Sequence, residues 1–187
     1  MPRARTTHSH RPDTAVSRRS VVAGSVGIAA LPAATPLDSA AVDAAEDERF
    51  MRIAIAEARR ADLPFGAVIV RDGHILARGR NLGRSEGDPT AHGEMVAIRR
   101  CLAAHGREAL KGATLYTSGE PCAMCIGAIL WCHIGRLVFA ASVPQLATRL
   151  DQIMVSSAEI ANTAPFAPLS ITGGVLAEEA MRLFDKR

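Results

Sequence analysis

The chain has 187 residues, 48% hydrophobic and 4% aromatic, enough for one sizeable core and without the fixed period of a repeat array. Its 22 Lys and Arg stand against 19 Asp and Glu, but residues 1–40 hold five of the basic and two of the acidic ones, leaving 17 against 17 from Ala41 onward. A neutral domain lacks the cationic excess that gains counterion-release free energy on a phosphate backbone, which argues against a nucleic-acid partner.

In chain order, Arg3, Arg5, Arg11, Arg18 and Arg19 precede the apolar run Val21 to Leu31, and small residues and prolines follow. That is the order of a secretory leader. Ser17-Arg18-Arg19-Ser20-Val21-Val22 resembles a twin-arginine signal. Residues 1–41 are therefore expected to be a signal peptide directing export to the periplasm, with cleavage near Ala41 or Ala44; the alternative is a cytoplasmic protein with an unused leader. The run of 11 residues is too short to cross a bilayer core of about 30 Å, so no membrane anchor is expected. Residues 42–187 make up the functional domain.

Asp43 to Ala61 reads as an amphipathic helix, with Phe50, Ile53, Ala54 and Ala58 at helical spacing. Ala67 to Val70 and Ile75 to Arg80 read as strands joined by an Asp72-Gly73 hairpin turn. A Gly-containing loop from Asn81 to Pro89 delivers Thr90-Ala91-His92 to a second helix that runs to about Ala104. Thr114 to Thr117 is a short strand before Pro121 and a cysteine-bearing helix, and Arg136 to Ala141 is another strand. Ser156-Ser157-Ala158-Glu159 is a capping box that opens a further helix. Pro168 to Thr172 is the fifth strand, and Val175 to Phe184 the last helix. Strands alternating with helices predict a layered α/β fold.

Two segments carry the chemistry: His92-Gly93-Glu94, and Pro121-Cys122-Ala123-Met124-Cys125. Taken together they offer three zinc ligands, His92, Cys122 and Cys125, and one carboxylate, Glu94, left over. A structural zinc closes its shell with four protein ligands, whereas three leave a position for water and lower that water's pKa. The competing reading is a closed structural site of Cys122, Cys125, Cys132 and His133. Seven residues separate Cys125 from Cys132, about 10 Å along a continuous helix, while zinc takes its sulfurs at about 2.3 Å. Cys132 and Cys101 are then simply buried thiols.

The order His-x-Glu followed by Pro-Cys-x-x-Cys resembles the zinc-dependent cytidine/deoxycytidylate deaminase superfamily. Pro64-Phe65-Gly66-Ala67-Val68, Asn81, Asp88 to His92, and Thr117 to Ala128 are similar to its guanine deaminase and bacterial tRNA adenosine deaminase branch. The resemblance implies a three-layer α/β/α cytidine deaminase-like fold, a five-strand mixed sheet with helices on both faces, and one Zn2+ per chain between the starts of the second and third helices. It also implies a homodimer. Glu94 becomes the catalytic proton carrier in a hydrolysis that replaces a ring amine by oxygen; outside this motif it would read as a first-turn acid favoured by the helix dipole.

Substrate contacts implied by the resemblance fall on Asn81, Phe65, Gly93, Trp131 and Asp151. Gly93 stands where the branch mostly has Ala, and is expected to leave room for substrate against the backbone. Phe65 and Trp131 match aromatic positions around a bound purine; Trp131 equally reads as part of the core face of its helix. The family's aromatic C-terminal tail is absent, so Ala161 to Pro168 is expected to form a different lid. The leading expectation is a deaminase releasing ammonia from a small heterocycle, best a guanine-like purine. The alternatives are a tRNA wobble adenosine deaminase, disfavoured by the neutral charge and by Trp131, and a non-catalytic zinc scaffold, which would not need Glu94.

Overall fold

The computed structural model describes residues 36–185, with side chains from residue 43 onward. The expected leader and signal motif lie outside the described residues, apart from the backbone of residues 36–41. No described helix is long and apolar enough to cross a membrane.

Helix α1 covers Pro36–Ala58, beginning earlier and ending earlier than its apolar pattern predicts. Its end is set by tightening backbone bonds, Arg60 N to Glu57 O and Ala61 N to Ala58 O, before Pro64, which has no N–H to continue a helix. Asp47, Phe50, Met51, Ala54, Ile55 and Ala58 are buried, the three-and-four spacing of one helical face.

Strands β1 (Gly66–Arg71) and β2 (His74–Arg80) form the expected hairpin, with Asp72 and Gly73 both at positive φ, as a two-residue turn matching strand twist requires. Helix α2 is Gly93–His105, β3 Thr114–Gly119, α3 Ala123–Trp131 and β4 Arg136–Ala141. Next come α4 (Val143–Leu146), α5 (Ser157–Thr163), β5 (Ser170–Thr172) and α6 (Ala177–Met181). The capping box at Ser156 and Glu159 is present. A second one, Ser142 with Gln145, starts α4, an element too short to announce itself by periodicity.

The sheet order is β2-β1-β3-β4-β5, with β2, β1 and β3 antiparallel and β3, β4 and β5 parallel. Alternate residues feed two cores. Ala67, Ile69, Leu115 and Leu137 meet α2 and α3 on one face, while Val68, Val70, Tyr116 and Val138 meet α1 and α6 on the other. This is the expected three-layer mixed-sheet fold. The last helix starts later than expected because Gly174 and Leu176 take positive φ, and it ends earlier, the chain past Met181 tightening into turns with Leu183 N to Ala180 O and Phe184 N to Met181 O.

On the α1 face, Arg136 grips Asp47 through two 2.6 Å bonds, and the Tyr116 hydroxyl donates to Asp47 Oδ1 at 3.0 Å. This cluster ties α1 to the inner strands β3 and β4. Burial and the adjoining Asp47 carboxylate push the Tyr116 phenol up.

Candidate metal centre and active site

The site lies where α2 and α3 begin. His92 and Cys122 are the N-cap residues of these helices, both in extended conformation, and Cys125 lies in the first turn of α3. Asp88 shapes the approach to His92, its Oδ1 accepting from the Thr90 N–H at 2.8 Å and the Thr90 hydroxyl at 2.7 Å.

Cys122 Sγ and Cys125 Sγ are 3.8 Å apart, and each is 3.6 Å from His92 Nδ1. A tetrahedral ion with zinc's usual bond lengths would set sulfur–sulfur at about 3.8 Å and sulfur–nitrogen at about 3.6 Å. The three donor atoms therefore fit zinc without rearrangement, and among the described residues no other His, Cys, Asp or Glu group is clustered to hold a metal. Cys132 and His133 are outside the cluster. Cys132 closes the C-terminus of α3 and packs against the α2–α3 core, which excludes the closed structural site.

Electrostatics point the same way. The hydrogen bond from the Cys125 thiol, assisted by His92, brings Cys122 down to about 4. Cys125, beside that thiolate and desolvated, is pushed up, and His92 is raised by its contact with Cys122. A thiolate, a thiol and an imidazole so close need a cation for the second sulfur to ionise as well.

Glu94, two residues beyond His92, is 4% exposed. Its Oε1 accepts a 2.9 Å hydrogen bond from the hydroxyl of Thr117 on β3. Burial raises the carboxyl's pKa, opposed by hydrogen bonding and by the nearby His92. A carboxyl moved upward beside a metal centre is suited to taking and returning protons near neutral pH.

A cavity of about 250 Å3 opens on these groups, bounded by Phe65, Asn81, His92, Glu94, Cys122 and the segment Leu150 to Ile153. It is smaller than the roughly 300 Å3 at which drug-sized pockets begin, space for one heterocycle. Phe65, Asn81 and Asp151 thus share the cavity with the metal cluster. Asn81 is buried; its Oδ1 accepts from Gly83 N at 3.2 Å, and its backbone bonds Phe65 O and Asp62 N. A larger cleft, about 890 Å3 near Arg59, Glu179 and Arg182, contains none of this chemistry.

Three expectations are corrected. Trp131 does not line the cavity: it is 72% exposed and rests edge-on against Phe166, ring centres 4.9 Å apart, so it neither faces the site in this chain nor completes a core face. The lid is not Ala161 to Pro168. Ala161, Ala164 and Phe166 are drawn onto the α2–α3 core because they are apolar, and Leu150 to Ile153 walls the site instead. The space beside Gly93 is taken by protein: a Cβ there would meet Phe65 O at 3.1 Å and Gly66 Cα at 3.2 Å. A Cβ on Gly79 would meet Gly93 O at 2.1 Å, so both glycines let α2 sit tightly on the hairpin.

Sequence reasoning missed Thr117, Glu120 and, apart from Asp151, the wall from Leu150 to Ile153. Glu120 is buried, and its two carboxylate oxygens accept from the N–H groups of Val143 and Ser157, each at 2.8 Å. An acid just before Pro121-Cys122 was the available signal.

Comparison with known proteins is consistent with this geometry. Residues 44–141 match the cytidine and deoxycytidylate deaminase zinc-binding region. A tRNA-specific adenosine deaminase of Agrobacterium fabrum is 45% identical over 105 residues, 54% of this chain and 69% of that protein. A guanine deaminase of Bacillus subtilis is 50% identical over 78 residues, 42% of this chain and half of that protein. Among solved structures, one from work on A-to-I editing by tRNA:A34 deaminases at the wobble position of transfer RNA superposes with a TM-score of 0.62 at 35% identity, covering 72% of this chain and 98% of that one.

Proposed function

Because the chain belongs to the cytidine and deoxycytidylate deaminase zinc-binding family, whose members are hydrolytic deaminases of C–N bonds, we propose that it releases ammonia from an aminated purine. Adenosine presented by tRNA is the first substrate of this reading. The observation that carries the reaction class is the Glu94 carboxylate, buried beside a three-donor metal cluster and inside a heterocycle-sized cavity.

When bound by His92, Cys122 and Cys125, zinc makes water nucleophilic near neutral pH. Glu94 takes the proton that this water gives up and passes it to the ring nitrogen next to the carbon under attack. The same carboxylate then takes the second proton from the hydroxyl now on that carbon and gives it to the amine as the C–N bond breaks, so amine and water become carbonyl and ammonia. Phe65 offers the ring an apolar face, Asn81 offers a side-chain amide, and Asp151 can accept from a ring N–H where the base has one, as guanine does and adenosine does not. Thr117 holds Glu94 in place.

The likeness to tRNA-specific adenosine deaminases supports adenosine and moves the guanine-like base to second place. That second reading keeps one specific support: the cavity lining has an Asp and two Glu but no Lys or Arg, a poor surface for a phosphate backbone. The two separate in one experiment. Zinc-loaded chain is incubated with a tRNA transcript bearing adenosine at the wobble position and, in parallel, with guanine. Inosine in the transcript is the expected result; turnover of guanine with an unaltered transcript would reverse the order.

A further inference from the structure

The cavity wall from Leu150 to Ile153 has little structure of its own. Among the described residues, the one backbone hydrogen bond between Asp151 and Val155 runs from Val155 N to Ile153 O at 2.8 Å, and Ile153 and Met154 are largely exposed. What bounds this segment is α4 before it and α5 after it. Both helices start on the same side chain: Glu120 Oε2 accepts the Val143 N–H and Oε1 the Ser157 N–H. These are the first N–H groups of their helices, which have no partner within the helix. The capping serines, Ser142 and Ser156, are committed to Gln145 N and Glu159 N, so the carboxylate supplies what the caps do not.

Glu120 directly precedes the metal loop and is held to the end of β4. Its own N–H donates to Ala141 O at 2.7 Å, and Ser157 Oγ donates to Pro121 O at 3.3 Å, one residue before Cys122. We propose that Glu120 is a positioning residue that clamps both ends of the substrate wall to the Pro121-Cys122 turn, and so sets the distance between the wall and the metal centre. A carboxylate is needed because both partners are donors. Glutamine would turn an NH2 toward one of the two N–H groups, which has then lost its acceptor. The proposal rests on the deaminase reading for its effect on substrate, while its structural part stands apart from it.

The test uses the full zinc-loaded chain with Glu120→Gln and, separately, Val143→Pro. Proline is tolerated at the first helical position and removes the one N–H concerned, so the second variant breaks the clamp without touching the metal loop. Expected in both are one zinc per chain and amide exchange at least about tenfold faster in residues 149–156 with the sheet unchanged. KM for the substrate identified above should rise about tenfold while kcat changes less than about threefold, since a displaced wall weakens binding more than proton transfer. Unchanged exchange in that segment, or faster exchange spread evenly over the whole chain, would overturn the proposal. If the unaltered chain deaminates nothing, the functional reading fails while the exchange result still decides the clamp.

Discussion

The hydroxyl of Thr117 donates to Glu94 Oε1 at 2.9 Å, inside protein on both sides. This bond joins the strand that ends at the metal loop to the helix capped by His92, and it orients the Glu94 carboxylate beside the metal cluster. Thr117→Val keeps the shape and deletes the donor. A hydrogen bond to a charged group contributes about 1.5–3 kcal/mol, so kcat should fall roughly tenfold to a hundredfold with zinc content unchanged. The bond stabilises the charged form and holds the pKa down against burial. Its loss should therefore move the acid limb of the pH–rate profile to higher pH; a shift to lower pH would contradict the assignment.

Metal content separates the cysteines. Cys122→Ser should abolish zinc binding, and Cys132→Ser should leave one zinc per chain, read by metal analysis of the dialysed protein. Because the Cys125 thiol is pushed up, zinc binding must expel its proton, so affinity should fall as pH is lowered and proton release should be measurable on titration. Affinity independent of pH would show that the sulfurs are not the ligands.

Trp131 and Phe65 make opposite predictions. Phe65 lines the cavity, and its replacement by Ala should weaken substrate turnover by about tenfold or more, the loss of a stacking contact of 1–3 kcal/mol. Trp131→Ala should change KM by less than about threefold, since its ring lies against Phe166. A large loss at Trp131 would return that residue to substrate recognition.

Stability should depend on Asp47, which accepts from both Arg136 and Tyr116. Asp47→Ala leaves a partly buried guanidinium without its partner and should cost about 3 kcal/mol, measured by urea unfolding. A cost below about 0.5 kcal/mol, the level of an ordinary surface substitution, would mean that the cluster contributes little.

The readable parts of the sequence were those with a period or a fixed spacing. Val68 and Val70 alternate with Ala67 and Ile69, so β1 could be placed within a residue at each end. The separation of Cys125 from Cys132 argued against a shared metal, and the fold bears this out by leaving Cys132 outside the cluster of His92, Cys122 and Cys125. Trp131 misled because neither a match of aromatic positions nor the spacing of a helix face says which way the ring turns in the folded chain, where it lies exposed against Phe166. Of the wall only Asp151 was legible, through the resemblance; the roles of Glu120 and of the rest of Leu150 to Ile153 depend on two helix starts and a wall that meet only in the folded chain.

The proposed hydrolytic deamination depends on Glu94. The most direct measurement is ammonia release by the zinc-loaded chain and by zinc-loaded Glu94→Gln, on wobble-adenosine tRNA and on a panel of free aminopurines. One ammonia per product is expected from the unaltered chain and a rate lower by about 10²- to 10⁴-fold from the variant, with equal zinc in both. Equal rates from the two proteins, or no ammonia from any aminopurine by the unaltered chain, would contradict it.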